Sequence, residues 1–334
     1  LQIRVSFLLL FILSYICQLL VDYCLANLTS ELFSGRAVLI TGCDTGFGNM
    51  LAHRLLEMGF VVFATCLYPD GEGARALLSR FPSDRVKVVR FDVTSDKEME
   101  EVKQYVQSNL PEKGLWGIVN NAGISVWGIS EWISMHRCKQ VVEVNLLGTI
   151  RTTLAFAPLV RKSKGRMVFL SSMNAHVPYG SGIYGTTKAG IQTFCDSLRF
   201  EMKKFGVKVS IILPGNYSPS TNIQPQKTPK EVWNSIPEDA KDVYDLEYVW
   251  KATNFVNKQL LTGHKNGYEV IDAIVNALTS DSPKARYLVA NLKEKIILFI
   301  SRILQRGELY GPVNINNNSP TSLHCPFSNT NTPV

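Results

Sequence analysis

From Arg36 onward, short apolar runs alternate with stretches in which apolar residues recur every three or four positions, and these two periods predict strands and helices in turn. Arg36 to Thr41, Val61 to Cys66, Val86 to Phe91, Leu115 to Val119, Arg166 to Ser171, Val207 to Leu213 and Arg286 to Val289 read as strands. The spacing of Met50, Leu51, Leu55 and Met58 predicts a helix directly after the first strand. Lys97 to Asn109 reads as another, a long helix is expected from His136 to about Lys162, and Val270 to Leu278 also has a helical pattern. After the fifth strand, Ile191, Phe194, Leu198, Met202 and Phe205 keep helical spacing, so that helix should pack hard.

The pattern changes in three places. Val5 to Val21 is a mostly apolar run of 17 residues between Arg4 and Asp22, at the short limit for a membrane-spanning helix. Residues 1–28 are read as a membrane anchor and its flank, in competition with a cleaved secretory signal and a buried helix. The sequon Asn27-Leu28-Thr29 is usable only if that flank faces a lumen. Within the main domain, 34–292, Tyr217 to Leu261 carries Pro219, Pro225, Pro229 and Pro237 between amphipathic stretches, so residues 216–262 are expected to form a lid. Lys295 to Arg306 is apolar with basic ends, and a C-terminal helix is expected over 293–310, buried or interfacial. Residues 311–334, rich in Asn, Ser, Thr and Pro, are expected to be disordered.

Composition narrows the classes. The 334 residues are 46% hydrophobic, enough for a full core in one large domain or two small ones. The net charge of +7 is modest and spread along the sequence, with no basic block interleaved with aromatics. A nucleic-acid partner is therefore not expected, and the excess reads as a mild preference for anionic surfaces, a membrane first among them. Seven scattered cysteines show neither CxxC pairing nor metal spacing with the five histidines, so neither a disulfide framework nor a metal site is expected.

The candidate chemistry begins with Gly42-Cys43-Asp44-Thr45-Gly46-Phe47-Gly48, between the first strand and its helix. Glycines there permit a tight turn and let a pyrophosphate approach the helix N-terminus, where open N–H groups favour anions. At the end of the second strand, where an acidic residue often binds the adenosine ribose, stand Thr65, Cys66 and Leu67. No Arg or Lys lies between Arg54 and Arg75, and Asp44 sits inside the turn, a pattern that favours NAD over NADP. Asp92 follows the third strand, and Asn120-Asn121-Ala122-Gly123 ends the fourth, as suits a strand end that faces a ligand or an ordinary turn. Asn145, amid apolar residues, is either a structural hydrogen-bonder or part of a proton path. Tyr184 and Lys188, four residues apart, share a helix face, so the ammonium can favour the ionised phenol, although such pairs also occur on solvated helix faces. Ser171-Ser172 ends an apolar run twelve residues before the tyrosine, and a hydroxyl and a phenol so placed can converge on one substrate oxygen.

Thr41-Gly42-x-x-x-Gly46-x-Gly48, Asp92-Val93, Asn120-Asn121-Ala122-Gly123, Asn145, Ser172, Tyr184-x-x-x-Lys188 and Pro214-Gly215 occur in the order and spacing that resemble the short-chain dehydrogenases, over about Arg36 to Tyr287. Gly114-Leu115-Trp116-Gly117 and Gly206-Val207-Lys208-Val209-Ser210 look like the branch that holds retinol dehydrogenases, 17β- and 11β-hydroxysteroid dehydrogenases type 2 and D-β-hydroxybutyrate dehydrogenase. The resemblance implies an α/β fold, a single Rossmann-type doubly wound parallel sheet with helices on both faces and the site at the C-terminal strand ends. It implies that Tyr184 takes the alcohol proton, Lys188 lowers its pKa and holds the nicotinamide ribose, Ser172 bonds the substrate oxygen, and Asn145 holds a water. For the cofactor, NAD, it implies contacts from the glycine turn (Gly42, Asp44, Thr45, Gly46, Phe47, Gly48). Asp92 and Val93 would meet the adenine; Asn120, Ala122 and Gly123 the ribose side; Pro214, Gly215 and Thr221 the nicotinamide end.

In that family the helices carrying Asn145 and Tyr184 often form a subunit interface, so a homodimer or homotetramer is expected. Leu288-Val289 stands where many relatives have a proline and glycine, a departure that bears on the C-terminal substrate lobe. The loop Met173 to Ile183 has no Lys or Arg; His176 is its one potential cation, and Val177, Pro178 and Tyr179 are apolar or amphipathic, which favours a lipophilic secondary or allylic alcohol of steroid or retinoid type. Lys227 and Lys230 in the lid keep D-3-hydroxybutyrate open as the alternative substrate. A catalytically inactive dinucleotide-binding scaffold is the alternative of another class, and the presence of all four residues of the tetrad argues against it. The N-terminal run lacks the Arg-rich, amphipathic look of a mitochondrial presequence, so the endoplasmic reticulum membrane is the expected location and the mitochondrion the alternative.

Overall fold

The computed structural model describes residues 33–177 and 181–305. The expected anchor and sequon, the tail over 311–334, and Pro178 and Tyr179 of the substrate loop lie outside the described residues. Seven strands, β1 (Ala37–Thr41), β2 (Val61–Cys66), β3 (Val86–Arg90), β4 (Leu115–Asn120), β5 (Arg166–Leu170), β6 (Lys208–Pro214) and β7 (Arg286–Val289), form one sheet in the order β3-β2-β1-β4-β5-β6-β7. Every pairing is parallel. The central strands β1, β2, β4 and β5 are buried along their whole length because both faces are covered, whereas the edge strands β3 and β7 are partly exposed. Alternation along each strand then feeds two cores: Val38 and Ile40 of β1 enter one, Ala37 and Leu39 the other.

Helices α1 (Gly46–Glu57), α2 (Glu72–Arg80) and α10 (Tyr268–Thr279) supply the first core through Leu51, Leu55, Leu77, Ile271 and Ile274. Helices α3 (Asp96–Ser108), α5 (Gly148–Lys162) and α6 (Gly182–Lys203) supply the second through Met99, Val102, Phe156, Ile191 and Leu198. Between β6 and α10, where a lid is expected, the chain makes three helices, α7 (Pro229–Ser235), α8 (Glu238–Lys241) and α9 (Leu246–Leu261), packed around Trp132, Val232 and Val249. The last helix, α11 (Leu292–Gln305), buries Leu298 against Met173 and Val177 while Leu292 and Phe299 stay exposed. Among the described residues no helix is long and apolar enough to cross a membrane.

Two expectations are corrected. The helix expected from His136 to Lys162 is two helices, α4 (Met135–Val142) and α5, joined by a wider π-type turn at Glu143–Leu147 that carries Asn145. That turn lets the Asn145 amide reach the backbone of Ile124 after β4. Phe205 does not extend the buried stripe of α6: the helix ends at Lys203, Gly206 turns the chain at φ +73°, and Phe205 is exposed. At Leu288-Val289, where many relatives have a proline and glycine, β7 forms and the Val289 carbonyl accepts the Gly215 N–H at 2.8 Å.

Candidate active site

The chain moves outward in both directions from β1, so the turns after β1 and β4 separate and leave a crevice at the C-terminal strand ends, where ligands bind in open α/β sheets. Gly42 makes the turn after β1 at φ +72°, a conformation that an L side chain rarely adopts. Gly48 is needed for space: a Cβ there would lie 2.2 Å from the Gly42 carbonyl oxygen. Thr45 caps α1 without a side-chain hydrogen bond, which leaves the first helical N–H groups open to an anion. Asn121, to which the sequence alone assigns no separate role, ties the two turns together by donating to the carbonyls of Thr41 (2.8 Å) and Gly42 (3.0 Å). Thr41 Oγ1 in turn accepts the N–H groups of Asn121 and Ala122, both at 3.0 Å. Its signal in the sequence was the doubled asparagine.

Asp44 reaches the end of β2, where its carboxylate accepts the N–H groups of Leu67 (3.0 Å) and Tyr68 (2.8 Å). A cation that the local sequence did not show arrives from β3, paired in register with Cys66: Arg90 donates to the Leu67 carbonyl (2.9 Å) and to Glu98 (3.0 Å). Asp92 turns its carboxylate to Thr94, accepting the backbone N–H at 2.9 Å and the hydroxyl at 2.7 Å, while Val93 is buried beside Gly148. Asn120 donates to Thr153 (3.1 Å), and its buried Oδ1 has no hydrogen-bond partner. From the segment after β6, Thr221 hangs over the glycine turn, 3.4 Å from where a Cβ on Gly46 would sit, and Phe47 meets Tyr217 edge-on with centroids 6.0 Å apart. Gly215 lies against the buried carboxylate of Glu294, which accepts the N–H groups of Asn216 (2.7 Å) and Asn291 (2.9 Å).

The tetrad is assembled. Tyr184 is buried and hydrogen-bonded to Ser172, whose hydroxyl also accepts the Asn174 N–H at 3.1 Å. Burial pushes the Tyr184 phenol up to about 12, with the Ser172 hydrogen bond pulling the other way. Lys188, also buried, is pushed down to about 8, because its ammonium is poorly solvated. Its Nζ donates to the Leu170 carbonyl at 2.9 Å and stands 5.6 Å from the centroid of the Tyr184 ring. Desolvation thus sets the direction at the phenol, opposite to the expected lowering, and Lys188 stands over the ring without contributing to that shift. The Asn145 amide accepts the Ile124 N–H (2.8 Å) and donates to the Ile124 carbonyl (2.9 Å) and Thr187 (3.2 Å). Gly123 is the meeting point: a Cβ there would be 3.3 Å from Asn145 Oδ1 and 3.6 Å from Lys188 Nζ. Behind the tetrad a relay unseen in the sequence runs from His176 to Gln192 (3.1 Å), on to Ser171 (3.1 Å) and to the Lys188 carbonyl (2.9 Å).

A phosphate-accepting helix end, a crevice between separating turns, an orphaned acceptor at Asn120 and a buried Ser–Tyr–Lys group fit a nicotinamide dinucleotide and an alcohol. Fold and site define an oxidoreductase that acts on a CH–OH group. A family model described as short chain dehydrogenase matches residues 36–231, and the chain belongs to that family. It is similar to mitochondrial D-beta-hydroxybutyrate dehydrogenase of Rattus norvegicus, with 42% identity over 262 residues, 76% of each chain. Retinol dehydrogenase 7 of Mus musculus is 39% identical over 254 residues, 75% of this chain and 79% of the relative. For 17-beta-hydroxysteroid dehydrogenase type 6 of Homo sapiens the figures are 39% over 253 residues, 75% and 79%. Among solved structures, a short-chain dehydrogenase from Streptomyces avermitilis shares the fold at a TM-score of 0.67 with 22% identity, over 83% of this chain and 95% of that one.

Proposed function

We propose that the chain interconverts a lipophilic secondary or allylic alcohol, of steroid or retinoid type, and its carbonyl compound, with NAD as cofactor. The observation that carries this is the buried Ser172–Tyr184 hydrogen bond beside Lys188. Tyr184 exchanges the proton of the substrate oxygen, and Ser172 holds that oxygen in line with it. Lys188 holds the nicotinamide ribose and supplies positive charge against the phenolate that forms. Asn145 braces the Gly123 turn against α6 through Ile124 and Thr187, and its Oδ1, which accepts one N–H there, keeps a second lone pair for a water. Bound NAD would supply the hydride acceptor. Gly42, Asp44, Thr45, Gly46, Phe47 and Gly48 would hold it from the first turn, Asp92 and Val93 at the adenine, Asn120, Ala122 and Gly123 along the ribose, and Pro214, Gly215 and Thr221 at the far end. NAD is favoured over NADP because Asp44 brings a carboxylate to the end of β2, while Arg90 is tied to Glu98 and the Leu67 carbonyl.

The lipophilic reading is supported by the floor beside Ser172, where Met173 and Val177 pack on Leu298, and by His176 being bound to Gln192. One observation favours D-3-hydroxybutyrate as a second reading. Arg137, on α4, donates to the Ser125 carbonyl at 3.2 Å, two residues past Gly123, and Ser125 bonds Gln224 of the lid at 2.8 Å, so a cation stands where the lid closes. The ratio of kcat/KM with NAD for a hydroxysteroid or retinol against D-3-hydroxybutyrate decides: above one is expected, and a ratio well below one assigns the site to the hydroxy acid. A homodimer or homotetramer is supported by exposed Leu154 on α5 and Phe200 on α6, and light scattering of the detergent-purified chain checks it. Membrane association through residues 5–21, in the endoplasmic reticulum or, as the mitochondrial relative suggests, the mitochondrion, is checked by whether the chain stays in the pellet after alkaline washing.

A further inference from the structure

Seven of the basic residues, apart in sequence, come together in space. The connection from α5 into β5 reads Arg161-Lys162-Ser163-Lys164-Gly165-Arg166, and that from α6 into β6 reads Lys203-Lys204-Phe205-Gly206-Val207-Lys208. These twelve residues hold seven cations and no carboxylate, as much net charge as the +7 of the whole chain. Strand pairing brings them together: Arg166 and Lys208 are register partners, and the Lys208 N–H donates to the Gly165 carbonyl at 3.1 Å. The Lys164 side chain lies along Gly206, and Arg161 and Lys204 each stand 5.0 Å from the centroid of half-exposed Phe205. Six of the seven are exposed, and among the described residues none of the seven forms an ion pair. Helix dipoles favour cations in the last turns of α5 and α6, but Lys208 opens a strand and gains nothing from that field.

The chain enters the fold at the same end of the sheet. Phe33 stacks on Phe60 with centroids 5.3 Å apart and lies 5.9 Å from Trp116, whose ring sits between Arg36 (3.9 Å) and Arg166 (4.7 Å). The apolar run ends at Val21, and an extended link from there to Phe33 spans at most about 40 Å. We propose that the two loops dock on an anionic lipid leaflet, laying the strand-start end of the sheet on the bilayer and turning the Tyr184 end away from it. The proposal builds on the reading of residues 5–21 as a membrane segment and adds the lipid class and the orientation. Roughly 17 Å of strand, at about 3.3 Å per residue, separates the docking loops from the site end.

The experiment uses the full chain on vesicles of phosphatidylcholine alone or with about one part in three phosphatidylserine, with each lysine's acylation by a membrane-impermeant amine reagent read by mass spectrometry. Lys164, Lys204 and Lys208 should react at least about fivefold more slowly on the anionic vesicles, with the difference lost near 0.5 M salt, where screening is nearly complete. Lys227 and Lys251 of the lid should react equally on both. Equal reaction of the loop lysines on both vesicles overturns the proposal, as does protection of Lys293 and Lys295 on α11 instead. The combined Lys164→Gln, Lys204→Gln and Lys208→Gln variant should keep its activity in detergent and lose the anionic increment in vesicle binding by at least about tenfold. Unchanged binding of that variant overturns the proposal as well. Flotation with neutral vesicles tests the apolar run separately: a chain that fails to float there, yet floats with anionic vesicles in a salt-sensitive way, loses the anchor reading and keeps the docking surface.

Discussion

Burial sets the protonation of the two groups at the centre of the site, and it sets them in opposite directions. Lys188 keeps its ammonium at a cost, falling from 10.5 to about 8 in the folded chain. Between those values the unfolded chain binds the proton more tightly, so stability rises with pH through that window. Lys188→Met removes the buried charge and with it this dependence. The unfolding free energy of the variant minus that of wild type should therefore fall by roughly 3 kcal/mol as pH rises from 8 towards 10.5, as denaturant titrations can measure. A constant difference would mean that the ammonium is better solvated than its surroundings indicate. Tyr184, pushed up to about 12, holds its proton throughout that range and needs help from charge close to its hydroxyl to lose it. Tyr184→Phe should lower kcat by roughly 10²-fold to 10⁴-fold while leaving the dissociation constant of the dinucleotide, measured by fluorescence, nearly unchanged. Parallel loss of binding and turnover would make Tyr184 a packing residue.

At the scale of elements, the strands were legible because a sheet covered on both faces demands unbroken apolar runs, and those are visible one residue at a time. The nearness of Ser172, Tyr184 and Lys188 was legible for a related reason: Tyr184 and Lys188 are one helical turn apart, and Ser172 lies just past the end of the strand before them. What stayed hidden depends on partners distant in sequence. The break between α4 and α5 answers a need of Asn145 for Ile124, 21 residues earlier, and Arg90 reaches the end of β2 only because β2 and β3 pair. Helix α2 was missed because Gly71, Gly73 and several charges obscure the short stripe of Ala74 and Leu77. The glycine turn was read correctly as a turn, but the reason for Gly48 is spatial. Gly48→Ala would press a methyl group against the Gly42 carbonyl and the Asn121 amide, and the turn that α1 and β4 share would have to open. The expected result is a loss of roughly 1–3 kcal/mol in stability, the usual cost of overpacking, together with weaker dinucleotide binding by titration calorimetry. Full affinity in that variant would show that the two turns are not held as one unit.

For the molecule as a whole, the question is where the folded body begins. The run Val5 to Val21 contributes apolar surface that a sheet already covered on both faces does not need, whereas Phe33 belongs to the first core, stacked on Phe60 and facing Trp116. Two truncations should therefore behave differently. Removing Leu1 to Asp22 should leave the melting temperature and the dinucleotide affinity of the detergent-purified chain nearly unchanged, while shifting the protein from the membrane pellet to the supernatant. Removing everything through Phe33 also takes a fully packed aromatic ring. That loss should cost about 3–5 kcal/mol, the range for deleting a buried phenylalanine, and should expose Trp116, so its emission shifts to the red as the melting temperature falls. Arg36 and Arg166 would then flank an indole open to solvent, and the strand-start end of the sheet would lose its ordered edge. If the shorter truncation already brings the loss in stability, the N-terminal run packs on the dehydrogenase body, and the docking of this end on a bilayer must be argued from the basic loops alone.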